Sequence, residues 1–216
     1  MSSYPTFNNK NFKSICDQLA SRDRDLQNVL NSYGYPPLWN RIPGFETVVH
    51  IILEQQVSLA SALAAYTKLK ERLIDITPQA VMMLTDDELK ACYFSRQKIV
   101  YTKHLAQSIS SGLLDLTKFS RMGNDEIRRE LVKIKGIGNW TVDVYLMMAM
   151  QRTDLFPVGD IALINSIKAT KNLKPGITKE EIATLAETWK PYQTVAAFIL
   201  WHAYLSRRKR QAGSAF

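Results

Sequence analysis

The chain has 216 residues, 46% of them hydrophobic, with a formal net charge of +8 at pH 7 and a pI near 9.4. That length fills one globule or two lobes sharing a core, and the positive excess suits a polyanionic partner without identifying one. Its two cysteines, Cys16 and Cys92, stand far apart, which excludes a disulfide framework, a zinc ribbon and a four-cysteine iron–sulfur cluster.

The opening Met-Ser-Ser-Tyr-Pro-Thr-Phe-Asn-Asn-Lys has no signal-peptide core, and no apolar run approaches the roughly 18 residues of a membrane helix. The expectation is an intracellular protein with no membrane partner, in the cytoplasm or nucleoid of a bacterium or archaeon, or the nucleus of a eukaryote. Both cysteines read as small buried hydrophobes. Helical spacing then runs through the chain. Phe12, Ile15, Cys16 and Leu19 share one face of residues 11–20, and Leu26, Val29, Leu30 and Tyr33 share one face of 22–33. Pro36 and Pro37 close this pair. A second block starts at Gly44 with Phe45, Val48, Val49, Ile52 and Leu53. It restarts after Gln55-Gln56-Val57, where Ser58 suits the N-cap of a helix over 59–74. Pro78 and Asp86 open short helices, and 96–110 and 124–134 follow.

Residues 139–150 are apolar almost all round, through Val142, Val144, Leu146, Met147, Met148 and Met150, so this helix belongs in the middle of the protein. Further helices are predicted over 161–171, 179–189 and 192–208, punctuated by Pro175-Gly176 and Pro191. Period-two alternation is absent. The pattern predicts an all-α fold of about ten to twelve helices.

The strongest local signal is Leu-Val-Lys-Ile-Lys-Gly-Ile-Gly-Asn-Trp-Thr-Val-Asp at 131–143. One helix runs into Gly136-Ile137-Gly138 and the next starts at once. Glycines let the backbone turn tightly and approach a partner, and the new helix offers N–H groups and the positive end of its dipole to a phosphate. This pattern reads as a helix-hairpin-helix, a device that grips a DNA backbone without reading sequence. Its phosphate contacts are expected from Lys133, Lys135, Gly136, Gly138, Asn139 and Thr141. The plainer alternative is a packing turn between two core helices. About twenty residues on, Phe156-Pro157-Val158-Gly159-Asp160 delivers one acid to the start of another helical pattern, where an N-cap alone also accounts for an aspartate.

Together these stretches resemble the helix-hairpin-helix DNA glycosylases, whose Gly/Pro-rich loop ends in a catalytic aspartate. With Trp140, the chain is similar to the alkylation-repair branch, the 3-methyladenine DNA glycosylase II type. The resemblance covers roughly residues 38–205. It includes Leu53-Glu54-Gln55-Gln56-Val57-Ser58, Ser95-Arg96-Gln97-Lys98, and Pro191-Tyr192-Gln193-Thr194 followed by Trp201. It implies two helical lobes: 38–150 with the Gln-rich turn and the hairpin, and 1–37 plus 151–216 with Asp160, the flipped base lying between them. It also implies that Asp160 is catalytic, that Trp140, Trp39, Phe45 and Tyr35 line the base pocket, and that Gln56, with Gln55 beside it, fills the gap left by the flipped nucleotide. The implied partner is double-stranded DNA containing alkylated bases, bound by a monomer. No cofactor is implied beyond Na+ or K+ at the carbonyls of Ile134 and Ile137, and His50, His104 and His202 are isolated.

The chemistry follows from one acid. Base departure leaves oxocarbenium character on the sugar, which a nearby anion stabilises, and the carboxylate also polarises the incoming water. A second carboxyl acid is usual in sugar-bond hydrolysis, but an alkylated purine already carries positive charge and leaves without a proton. Bifunctional relatives place a lysine at position 140, so Trp140 implies a monofunctional enzyme. The expected substrates are 3-methyladenine and 7-methylguanine, with ethenoadenine or hypoxanthine as extras. Two departures from the family pattern, Ile164 and Gln193, remove phosphate or carboxylate contacts. The competing readings are a damaged-DNA binding module that does not cut, and a glycosylase for deaminated or oxidised bases.

Overall fold

A computed structural model describes residues 4–213. In chain order its helices are α1 (Phe12–Arg22), α2 (Arg24–Tyr33), α3 (Phe45–Glu54), α4 (Leu59–Arg72), α5 (Pro78–Met83), α6 (Asp86–Ala91), α7 (Arg96–Ser110), α8 (Asn124–Leu131), α9 (Asn139–Met148), α10 (Ile161–Thr170), α11 (Lys179–Ala186) and α12 (Gln193–Gly213). Short 3-10 helices occupy Leu116–Arg121 and Glu187–Trp189. The fold is all-α; among the described residues the β pairing is a lone bridge between Thr6 and Arg152. Side-chain caps explain where many helices begin: Ser58, Thr77, Thr85, Ser95, Asp160 and Thr178 each accept a backbone N–H of the first turn. Such a cap contributes about 1 kcal/mol.

The chain divides into two compact units. In the unit Arg41–Met150, α3 is the central rod, with seven of its residues buried from Phe45 to Leu53, and it packs on α4, α7 and α9. The helix expected over 124–134 stops at Leu131, because Ile134 turns its N–H back to the Leu131 carbonyl at 3.0 Å as the hairpin begins. The following helix stops at Met148 rather than 150: Ala149 and Met150 both direct their N–H groups to the Tyr145 carbonyl, and Gln151 takes a positive φ of 53°.

The second unit comprises Tyr4–Asn40 and 151–213. Its axis is α12, which packs on α1, α2 and α10. Leu38, Trp39 and Asn40 fall in this unit rather than with the hairpin, because Trp39 sits edge-on to Phe198 and Trp201 of α12, at 5.3 and 6.4 Å between ring centroids. Phe7 and Phe12 complete the aromatic core. The segment expected as a helix over 179–189 breaks at Ala186, and its last turn tightens to place Trp189, 1% exposed, against Phe156. Asp23 ties this unit together. It caps α2 and accepts from the Trp189 indole at 2.8 Å and from Lys171 at 2.7 Å. Burial raises its carboxyl pKa, but Lys171 and Trp189 outweigh burial and hold it below the usual carboxylate value.

Both cysteines are free and buried, as expected. Burial pushes the Cys16 thiol up to about 12 and raises Cys92 as well. No helix of the described residues is long and apolar enough to cross a membrane.

Candidate active site

The hairpin lies in the first unit. Gly136 has a φ of +88°, and a Cβ built there would stand 2.0 Å from Cγ of Tyr101 on α7. Only glycine satisfies both constraints. Gly138 differs: its φ of −100° is open to any residue, and nothing lies within 4 Å of its virtual Cβ. The fold does not demand this glycine, whose bareness leaves the start of α9 open to an approaching group. As an N-cap it supplies no side-chain acceptor to the first turn of α9, the arrangement that favours an anion there.

Side chains around the turn divide into exposed and committed groups. Lys133 and Lys135 are exposed, Lys133 pairing with Glu130 at 2.8 Å. Asn139 is exposed, but its side-chain oxygen accepts from Arg128 at 3.1 Å, and Arg128 also pairs with Asp143. Burial raises the Asp143 carboxyl, with Arg128 opposing. Thr141 is the most committed of them. Its side chain is 2% exposed and accepts from Gln55 Nε2 at 2.9 Å, so its hydroxyl serves the interior rather than a phosphate.

The glutamine turn separates its two candidates in the same way. Gln56 is exposed, at a positive φ of 55° just beyond the end of α3. Gln55 instead donates to the Gly136 carbonyl at 2.9 Å as well as to Thr141. It is a brace between the turn and the hairpin, while Gln56, the wedge expected from the sequence, has the exposed side chain. Three residues of α7 to which the sequence assigned no role at the hairpin complete the support: Lys98 donates to the Leu53 carbonyl at 2.6 Å, Tyr101 lies under Gly136, and His104 Nδ1 accepts the Lys135 N–H at 3.1 Å. Their spacing of three marks one helix face, yet nothing in it points to a segment thirty residues away.

Trp140, second residue of α9, is half-buried. Two other aromatics expected to line the pocket have contacts of their own. Phe45 is 8% exposed and belongs to the α3 core. Tyr35 is 44% exposed, but its hydroxyl donates to Asp17 at 2.6 Å and Lys13 lies over its ring, which commits it to the surface of α1.

In the second unit, the turn from Phe156 brings Asp160 to the N-cap of α10, half-buried. Its Oδ1 accepts from the Leu163 N–H at 2.7 Å and from the indole N–H of Trp201 at 3.1 Å. The cap expected from the sequence is therefore present, with a second donor that fixes the carboxylate in orientation. Ile164 is half-buried on α10, and Gln193, 7% exposed, opens α12. The Ile134 carbonyl accepts the Ile137 N–H at 3.0 Å and keeps a second lone pair. Among the described residues no group of three or more His, Cys, Asp or Glu is placed to hold a metal.

A glycine-turned hairpin with a bare helix N-terminus, followed by a loop that delivers one oriented acid, defines a helix-hairpin-helix repair fold. The chain belongs to the HhH-GPD superfamily of base excision DNA repair proteins, whose family profile matches residues 49–191. It is 31% identical over 169 residues to a DNA-3-methyladenine glycosylase of Bacillus subtilis, which covers 73% of this chain and 56% of that one. It is 29% identical over 161 residues to DNA-3-methyladenine glycosylase 1 of Schizosaccharomyces pombe, covering 73% of this chain and 71% of that one. The chain spans 65% and 56% of the length of two Bacillus subtilis relatives that it matches. The solved structure of a Schizosaccharomyces pombe 3-methyladenine DNA glycosylase in complex with abasic DNA superposes with a TM-score of 0.79 at 27% identity, covering 87% of this chain and 95% of that chain.

Proposed function

We propose that this chain is a monofunctional DNA glycosylase that hydrolyses the N-glycosidic bond of alkylated purines in duplex DNA, chiefly 3-methyladenine and 7-methylguanine. The observation that carries the reading is Asp160, a half-buried carboxylate delivered by the turn that follows the hairpin and oriented by two N–H donors on one oxygen. An oriented anion stabilises the cation that develops at C1′ as the base departs, without reorganising at that moment, and it polarises the attacking water. Trp140 supplies an aromatic face to a purine bearing positive charge, an attraction of roughly 0.5–2 kcal/mol. An indole has no amine to form a Schiff base, so water is the nucleophile. The names of the curated relatives and the DNA-bound structural relative support the same substrate class. The enzyme acts as a monomer.

A panel of duplexes, each with one defined lesion, tests the reading by base release. Alkylpurines are expected to be released, and Asp160→Asn is expected to lower release by orders of magnitude while duplex affinity stays near that of the parent. Release of deaminated or oxidised bases instead would reassign the substrate. Binding without release of any base would reduce Asp160 to a helix cap. Borohydride is expected to trap no covalent adduct with DNA.

A further inference from the structure

We infer that Gln55 is a positioning residue that couples the hairpin's grip on the phosphate backbone to the seating of Gln56 in the duplex. The inference rests on the proposed reading of the hairpin and of Gln56. It concerns the residue between them.

Both segments lie in the unit Arg41–Met150. At the end of α3, Gln55 is the C-cap, with its N–H on the Ile52 carbonyl at 3.3 Å, and Gln56 follows in the left-handed region. A non-glycine residue held at positive φ is costly unless its surroundings over-determine it. Two anchors do so. Behind the turn, the ammonium of Lys98 binds the Leu53 carbonyl, one of the acceptors left over where a helix ends. Ahead of it, the single amide nitrogen of Gln55 bridges the Gly136 carbonyl and the Thr141 hydroxyl, each at 2.9 Å.

Those two acceptors are the parts of the hairpin that set its geometry. Gly136 is the residue whose positive φ makes the turn, and Thr141 lies in the first turn of α9, whose exposed N–H groups face the phosphate in the proposed complex. The same helix that holds Lys98 also buttresses the hairpin through Tyr101 and His104. Movement of the hairpin onto a phosphate therefore moves the acceptors of Gln55, and Gln56 is its direct chain neighbour. An amide is suited to this work because its NH2 carries two donors, whereas a purely packing residue would leave the Gly136 carbonyl and Thr141 without this partner.

The test compares Gln55→Met, Gln56→Ala and the double variant on a duplex with one 7-methylguanine beside a 2-aminopurine. Fluorescence reports extrusion, single-turnover release reports catalysis, and affinity for an undamaged duplex reports the grip. Gln55→Met is expected to bind undamaged duplex within about twofold of the parent and to lose about tenfold in extrusion and release. Gln56→Ala added to it is expected to cost less than about twofold more, although alone it costs about tenfold, because residues acting through one contact are not additive. Thr141→Val removes one acceptor from the hairpin side and is expected to give the same pattern at about threefold; it carries the test should Gln55→Met fail to fold. Parental extrusion by Gln55→Met or by a folded Thr141→Val would overturn the inference, as would effects of Gln55→Met and Gln56→Ala that multiply in full. Unchanged extrusion in Gln56→Ala alone would instead overturn the wedge reading, and the inference with it. A parent that extrudes the base without releasing it would refute the catalytic reading while leaving the coupling measurable by fluorescence.

Discussion

Gly136→Ala is the sharpest test of how the hairpin is built. The added methyl would stand 2.0, 2.2 and 2.4 Å from three ring carbons of Tyr101, at a φ of +88°. The left-handed backbone costs an L-residue roughly 1–2 kcal/mol. Forcing the ring aside adds about 1–3 kcal/mol of overpacking, and the Tyr101 hydroxyl is itself held by Gln97. The expected loss is therefore about 2–5 kcal/mol, read as a drop in the urea midpoint at unchanged slope. Gly138→Ala is the control, since its φ is ordinary and the space around it is open. It should change stability by less than about 0.5 kcal/mol, yet weaken binding to damaged and undamaged duplex alike, because phosphate contact carries no sequence information. In a Tyr101→Ala background the cost of Gly136→Ala should fall to the backbone share of about 1–2 kcal/mol. Equal losses for the two glycine variants, or a loss under about 1 kcal/mol at Gly136, would refute the assignment of the turn to this glycine and ring.

Trp201→Phe removes one of the donors on Asp160 Oδ1 and keeps most of the ring. A hydrogen bond to a charged group is worth about 1.5–3 kcal/mol, so the turnover rate is expected to fall about tenfold or more with duplex affinity unchanged; an unchanged rate would dismiss the indole as an orienting group. Removing Arg128, by Arg128→Ala, leaves Asp143 half-buried without its cation, at an expected cost of about 3 kcal/mol in urea unfolding, and a neutral outcome would count against the brace between α8 and α9. The Asp23–Lys171 pair sets a pH window. Asp23 sits below its ordinary 3.8, so its contribution is present above that value and is lost as pH falls through the lower folded value. Burial lowers Lys171, but Asp23 and Asp25 outweigh it and raise its pKa above 10.5, so its share is present below that value and fades as pH rises through the higher folded one. Asp23→Asn should therefore flatten the acid limb of stability against pH, and an unchanged limb would remove this pair from the account.

Local chemistry made much of this molecule legible in advance. The spacing of Phe12, Ile15, Cys16 and Leu19, the caps at Ser58 and Asp160, and the glycine turn at 136–138 are short-range facts, and each helix they imply is present. What escaped depends on partners distant in sequence. Thr141 and Gln55 look like surface polar residues until α3 and α9 are packed together, when each satisfies the other. Phe45 and Trp140 are both aromatics near helix starts, and only packing distinguishes the buried one from the half-exposed one. Trp201 emerged only as part of a similar stretch; its bond to Asp160 joins residues 41 apart. The 3-10 turn at Leu116–Arg121 has no apolar period of its own and is held by the Asp115 cap.

The buried thiols acquire a meaning from the proposed substrates. Agents that methylate purines also attack sulfur, and they attack the thiolate far faster than the thiol. With Cys16 near 12, on the order of one molecule in 10^5 carries that anion at pH 7, and the surrounding helices keep solutes from reaching it. Cys16 is thus held in its less reactive form under the same chemical stress that would create the proposed substrates.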